Sequence, residues 1–221
     1  YHRLRDLLYR YADIFATSLK DLPGCDVMKV TIDTRNHPPI AKRNFRFNPD
    51  EKKIIREQIA EMEQAGIVRQ EASPWQAPIF LVDKATPTGM GKRLIIDLRY
   101  LNAVTTMIKW PSITLDDCID GMAEQKPPPR FWASLDQKSG YYNICLDESA
   151  QEKTGFSSPD GLSYIHTRLP MGHCNSVQWF SRIMSTVLAN LPQSIECCYV
   201  DDLLISASSE EKLLENLDLV L

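Results

Sequence analysis

Apolar and polar residues alternate along this chain in two rhythms, and the places where the rhythm changes mark its elements. Ile55, Ile59 and Met62 stand at i, i+4 and i+7, the spacing of one buried helical stripe, with lysines and arginines on the other face. Asn48-Pro49-Asp50-Glu51 opens that helix: Asn is a favoured cap, Pro fits the first helical position, the acids suit the first turn, and Gly66 is the stop. The apolar runs Ile79-Phe80-Leu81-Val82 and Leu94-Ile95-Ile96 are separated by Thr86-Pro87-Thr88-Gly89-Met90-Gly91, which predicts a hairpin with a mobile tip flanked by Lys84, Lys92 and Arg93. Pro127-Pro128-Pro129 reads as an extended connector and a boundary, because consecutive prolines neither pair nor coil. Beyond it, Phe131 to Leu135 predicts a strand ending in Asp136. Ser163 to Leu169 predicts another, with Tyr164, His166 and Arg168 alternating with Ile165, Thr167 and Leu169. A helix follows from about Ser176 to Ala189, then strands over Ile195 to Val200 and Leu203 to Ala207. The last helix opens with Ser208 and Glu211 as a capping box and buries Leu213, Leu214, Leu217 and Leu221. Strands and helices mixed without regular alternation point to an α+β fold with an antiparallel sheet.

Composition narrows the class. With 221 residues, 43% apolar and 24% charged, the chain can bury a sizeable core, and disordered, collagen-like and disulfide-scaffold classes are excluded. No apolar run approaches the roughly 20 residues that span a bilayer, so no membrane partner is expected. The opening Tyr1-His2-Arg3-Leu4-Arg5 lacks the plan of a signal peptide, which predicts no export and a fragment of something longer. Six cysteines and four histidines show no zinc-ligand spacing, and Cys197-Cys198 reads as two packing residues in a reducing compartment.

The net charge of −4 speaks against a nucleic-acid partner, but the total hides its distribution. Residues 35 to 56 carry seven cations (Arg35, Lys42, Arg43, Arg46, Lys52, Lys53, Arg56) against Asp50 and Glu51. Residues 201 to 221 carry six acids against Lys212 alone. Either run reads as solvated surface by itself; the basic one is also suited to phosphates.

The acidic end carries the candidate chemistry. Asp201 and Asp202 lie between two apolar strand segments, so they belong at a hairpin tip, where adjacent carboxylates repel unless cations or solvent relieve them. A bare Asp-Asp turn is common for its local hydrogen bonding. Asp136 changes the weighting: it lies 65 residues earlier at the end of another apolar strand. If the two strands are neighbours, three carboxylates converge on one sheet edge. Oxygen ligands without His or Cys suit magnesium ions that complete their shells with substrate phosphates. Two such ions about 4 Å apart can activate a 3′-hydroxyl and stabilise a leaving pyrophosphate.

At these residues the sequence resembles the reverse transcriptases of gypsy-type LTR retrotransposons and retrovirus-like Pol polyproteins. Tyr199-Val200-Asp201-Asp202 is similar to their tyrosine-x-Asp-Asp box, and Leu135-Asp136 through Asn143-Ile144 to their first catalytic box. Arg93 through Asn102 resembles the fingers box. Glu63 to Val68 with Ser73-Pro74-Trp75-Gln76-Ala77-Pro78 resembles the stretch before the fingers hairpin, and Leu169-Pro170-Met171-Gly172 with Asn175 and Phe180 the box opening the palm helix.

The resemblance implies a right-hand polymerase: a connector over 1–26, fingers over 27–106 and 144–175, and palm over 107–143 and 176–221, with the antiparallel palm sheet packed on helices. Thumb, ribonuclease H and integrase domains are expected downstream in a parent polyprotein, and low processivity without them. The implied activity is DNA synthesis directed by an RNA or DNA template, by attack of a primer 3′-hydroxyl on a deoxynucleoside triphosphate. It implies that Asp136, Asp201 and Asp202 hold two magnesium ions, with manganese as the alternative. Lys84 and Arg93 would grip the triphosphate, Tyr141 would floor the sugar and exclude a ribose 2′-hydroxyl, and Met171 and Gly172 would pack near the nascent base pair. Trp75, Arg99 and Tyr199 match template or primer positions, although Trp75 and Arg99 fit packing or a structural ion pair equally well. The expected location is intracellular: cytoplasm, virus-like particles or nucleus. Departures from the family pattern are Asp83 where proline is usual, Val177, Trp179 and Ser181 in the palm helix, and the triple proline. The competing reading is a catalytically incomplete or host-repurposed fragment that binds nucleic acid; an RNA-synthesising polymerase is disfavoured by Tyr141.

Overall fold

The computed structural model describes residues 2–86, 89–111, 114–191 and 196–221. Helices are α1 (His2–Arg10), α2 (Pro49–Gln64), α3 (Arg99–Val104), α4 (Leu115–Ala123), α5 (Glu148–Gln151), α6 (Ser176–Val187) and α7 (Glu210–Val220). Strands are β1 (Cys25–Val30), β2 (Val68–Gln70), β3 (Ile79–Thr86), β4 (Gly89–Ile96), β5 (Phe131–Asp136), β6 (Ile144–Leu146), β7 (Phe156–Ser157), β8 (Ser163–His166), β9 (Glu196–Tyr199) and β10 (Asp202–Ala207). They gather into two compact units. The first comprises residues 1–17, 109–140 and 177–221, the second residues 18–108 and 141–176.

The first unit is built on an antiparallel sheet of order β5-β10-β9. Strand alternation gives its central strand two characters: Leu203, Ile205 and Ala207 face one side, Asp202, Leu204 and Ser206 the other. Leu203 and Ile205 meet Leu217 of α7 and Leu7 of α1 in a buried cluster, flanked by Ala133, Leu135, Leu213 and Leu214. Each such side chain contributes about 1.5–3 kcal/mol on burial. The N-terminal segment, read from sequence as a connector, thus reaches this core through Leu7. Arg10 and Tyr11 reinforce it by donating to the Asp218 carboxylate at 2.7 and 3.0 Å. Helix α7 is capped one residue later than the sequence suggests: Ser209 accepts the Lys212 N–H, and the buried polar Asn216 donates to the Ser206 carbonyl. Cys118 of α4 is buried and disulfide-bonded, a tie that no cysteine spacing announces.

In the second unit, α2 begins as the sequence predicts, with Asn48 and Glu51 in a reciprocal capping box and Ile55, Ile59 and Met62 buried. Gly66 follows at φ +67°, a conformation open to glycine at little cost. Strand β8 is the middle of the sheet β2-β8-β7, and it is covered on both faces. Tyr164, Ile165 and His166 are therefore all buried, rather than alternating. Phe156 stacks on Tyr164 at 5.7 Å and lies tilted against His166 at 5.3 Å. A parallel pair, β1 with β6, departs from the otherwise antiparallel pattern.

Candidate active site

In the first unit, β9 and β10 pair so that Tyr199 is opposite Asp202, leaving a loop of two residues, Val200 and Asp201. Val200 has φ +56°. Two-residue hairpin loops require a positive φ at their first position, normally supplied by Gly or Asn. A β-branched residue there stores strain, on the order of 1–3 kcal/mol. Neighbouring contacts hold it: the Asp201 carbonyl accepts the Gln137 N–H at 3.2 Å, and the Cys198 thiol donates to the Val200 carbonyl at 3.4 Å.

The register on the other side of β10 sets Asp202 directly opposite Asp136. Directly opposed residues share a face, so these two carboxylates project on the same side of the sheet, away from the Leu203 and Ile205 side. Asp136 and Asp202 are exposed and Asp201 half-buried. Among the described residues no three acidic, His or Cys side chains form a ready-made metal cluster. The donor set is all oxygen and open. It fits a hard divalent cation that takes its remaining ligands from water and phosphate rather than from a protein cage.

The turn after Asp136 locks this corner. Ser139 adopts φ +50°, and Lys138 donates its ammonium to the Thr17 carbonyl. Gln137 also reaches the Met184 sulfur at 3.3 Å. At Gly140 a Cβ would stand 2.9 and 3.1 Å from the Phe180 ring and 3.6 Å from Asp201 Cβ. Glycine is required there by space. Neither Gly140 nor Gln137 was marked by residue type or spacing; only the fold brings them against Asp201 and α6.

In the second unit, β3 and β4 form the predicted hairpin, with Ile79 opposite Ile96 and Thr86 opposite Gly89; its Pro87-Thr88 tip lies outside the described residues. Lys84 faces Gly91 and Val82 faces Arg93, which sets Lys84 and Arg93 on one face. Asp83 and Lys92 pair on the opposite face at 3.2 Å. The acid that the sequence places beside Lys84 is thus turned away and matched. Gln58 of α2 clasps the hairpin, donating to the Lys92 carbonyl and accepting the Leu94 N–H, both at 2.8 Å. Arg93 donates to the Met171 sulfur at 3.1 Å.

Met171 is half-buried and Gly172 exposed with φ +87°, so glycine here answers to backbone conformation; nothing stands within 4 Å of where a Cβ would be. Asn102 ties that loop down, donating to the Gly172 carbonyl at 2.8 Å and accepting the Cys174 N–H at 2.9 Å. Tyr141 is half-buried in the 3-10 turn Gly140–Asn143. Its neighbour Tyr142 is buried against Met62, and burial pushes its phenol pKa up. Trp75 is buried within the unit, at 5% exposure, so its indole serves packing in this structure. Arg99 grips the buried Asp97 carboxylate at 2.8 and 2.7 Å, which holds Asp97 below the usual carboxylate range despite its burial. The side chain of Tyr199 lies outside the described residues.

Residues 83–221 match the family described as reverse transcriptase (RNA-dependent DNA polymerase). The chain belongs to the reverse transcriptase family. Relatives of this reverse transcriptase chain include the retrovirus-related Pol polyproteins from the Drosophila melanogaster transposons gypsy and 412. The first is 31% identical over 220 residues, covering 98% of this chain and 21% of that polyprotein. The second is 29% identical over 218 residues, covering 97% and 17%. The chain therefore spans about a fifth of the length of these relatives. Among solved structures, the prototype foamy virus protease–reverse transcriptase superposes with a TM-score of 0.85 at 22% identity, over 99% of this chain and 28% of that one. The foamy viral enzyme has also been solved with an RNA/DNA hybrid, again with a TM-score of 0.85. The fold is that of reverse transcriptase fingers and palm, in a family of nucleotidyltransferases that generally use divalent metals such as Mg2+.

Proposed function

We propose that this chain is the fingers and palm of an RNA-directed DNA polymerase that also copies DNA, with the first unit as palm and the second as fingers. The observation that carries the reading is the register of β5 and β10: it places Asp202 opposite Asp136 at the open end of the sheet, with Asp201 in the adjoining two-residue turn. Asp136, Asp201 and Asp202 would hold two divalent cations. Bound there, such ions supply Lewis acidity to the phosphoryl group and lower the pKa of an attacking 3′-hydroxyl.

The chain's own residues do the positioning. Lys84 contributes a point charge and Arg93 a fork of donors, both on one hairpin face, to neutralise the triphosphate of a deoxynucleotide. Tyr141 presents a rigid ring against C2′ of the sugar, excluding ribonucleotides. Val200 and Gln137 fix the direction of Asp201, so the carboxylates need no rearrangement at the moment of reaction. Met171 and Gly172 pack near the nascent base pair. Arg99, anchored by Asp97, and Tyr199 contribute to the template and primer side.

The test is extension of a primer annealed to RNA, with magnesium and deoxynucleotides, by the parent and by Asp201→Asn. The parent should extend, and the variant should lose at least about a thousandfold in rate while keeping its affinity for primer–template. A folded parent that binds primer–template yet adds no nucleotide would overturn the proposal in favour of a nucleic-acid-binding fragment without catalysis.

A further inference from the structure

The basic run read from the sequence is not absorbed by the catalytic carboxylates or by the hairpin. In the second unit its central part, residues 41–47, lines a cavity of about 760 Å³ together with Lys52, Gln76 and the loop 157–161. Four cations, Lys42, Arg43, Arg46 and Lys52, border it, and no carboxylate does. None of the four forms an ion pair among the described residues. The nearby acids are committed elsewhere: Arg56 takes Asp160 through both oxygens at 2.5 and 2.7 Å, and Glu51 accepts the Asn48 N–H.

The frame of the cavity is rigid. Ala41 bridges Gln76 in parallel, and Lys42 N–H and Gln76 N–H complete that bridge at 2.8 and 2.9 Å. Asn44 donates to the Ser157 carbonyl at 2.7 Å and accepts the Ile79 N–H at 3.0 Å, and Ser157 donates to the Gln76 side-chain oxygen at 2.6 Å. Against this fixed frame Phe45 is 56% exposed. A large ring left in water among cations has no folding rationale, since the same ring turned inward would gain burial energy.

We infer that this cavity binds an unpaired nucleic-acid strand, with Lys42, Arg43, Arg46 and Lys52 on its phosphates and Phe45 stacked on a base. Cations that follow a backbone plus an aromatic platform are the two components of single-strand binding. A duplex offers the phosphates but hides its base faces, so Phe45 discriminates between them. Lys42 is already oriented, its ammonium lying 4.6 Å over the Tyr100 ring. The inference rests on the proposed reading that this chain handles nucleic acid, and it adds a site distinct from the three carboxylates.

The test is fluorescence anisotropy with a labelled 12-nucleotide single strand and the matching duplex, without divalent cations or nucleotides, in the Asp201→Asn background. Phe45→Ala should weaken the single strand about tenfold and leave the duplex unchanged, and Phe45→Tyr should restore it. Arg43→Ala with Arg46→Ala should weaken the strand and flatten the salt dependence by about 0.7 per lost phosphate contact. Displacement of the strand by micromolar deoxynucleoside triphosphate would overturn the inference in favour of a nucleotide pocket. Unchanged single-strand affinity in both the Phe45 and the arginine variants would overturn it outright. Primer extension by Phe45→Ala on a template with a one-nucleotide overhang separates the two readings. Extension there with lost strand binding supports the cavity, whereas strand binding by a parent that does not extend refutes polymerisation alone.

Discussion

At the scale of single residues, the site depends on positions whose importance is steric. Gly140 is the clearest: an added methyl would press on the Phe180 ring at 2.9 Å and crowd Asp201. Gly140→Ala should destabilise the first unit by about 1–3 kcal/mol, the usual cost of overpacking, and slow nucleotide addition at least tenfold. Phe180→Leu in the same chain should recover much of both, read as coupling in a double-mutant cycle. Additive effects would show that Gly140 answers to something other than that ring. The carboxylates were legible in the sequence because Asp-Asp between apolar strands is a visible pattern. Gly140 was not, because nothing local distinguishes a glycine required by a ring 40 residues away from one that merely permits a turn.

At the scale of elements, alternation in the β3-β4 hairpin sorts three cations into two roles. Lys84 and Arg93 share a face, whereas Lys92 is matched to Asp83 on the other. Lys84→Ala and Arg93→Ala should each raise KM for deoxynucleotide about tenfold, and Lys92→Ala should leave it within twofold. Steady-state incorporation on an RNA template with varied nucleotide reads this directly, and equal effects of all three would refute the face assignment. Hairpin, α2, α6 and the β9-β10 strands were readable from periodicity and punctuation. Helix α4 was not, since its nine residues carry mixed polarity, although Thr114 and Asp117 give it a capping box that the sequence shows. Helix α1 looked like a connector because a single buried residue, Leu7, anchors it, and that contact exists only once β10 and α7 are in place. The cap of α7 shifted from Ser208 to Ser209 because two adjacent serines offer the same chemistry and only the helix phase decides between them.

At the scale of the whole molecule, burial of imidazoles makes stability depend on pH. His166 and His173 are both held neutral by burial, with pKa values lowered from 6.5 to about 4. Among the described residues neither ring nitrogen of His166 has a partner. Below pH 6.5 the unfolded chain takes up protons that the native state refuses, so stability falls as pH drops and the loss levels off below about 4. For His166 this amounts to about 2 kcal/mol between pH 7 and pH 5. Urea unfolding of His166→Leu should show that much less pH dependence than the parent over the same interval; identical slopes would show that His166 takes up its proton in the folded state. Charge is the other whole-chain property: a total of −4 coexists with a basic cavity because opposite surpluses cancel in the sum. The fold class and carboxylates were therefore visible in sequence, while the register that opposes Asp202 to Asp136 was not, being a property of two strands 65 residues apart. That register is also the central claim. Its most direct test is single-turnover incorporation of one deoxynucleotide by the parent, Asp136→Asn and Asp202→Asn across a magnesium titration. The expected result is that Asp136→Asn loses incorporation even at saturating magnesium while still binding primer–template, and that Asp202→Asn needs more magnesium or loses rate with it. Incorporation by Asp136→Asn at the parental rate and magnesium dependence would contradict the account.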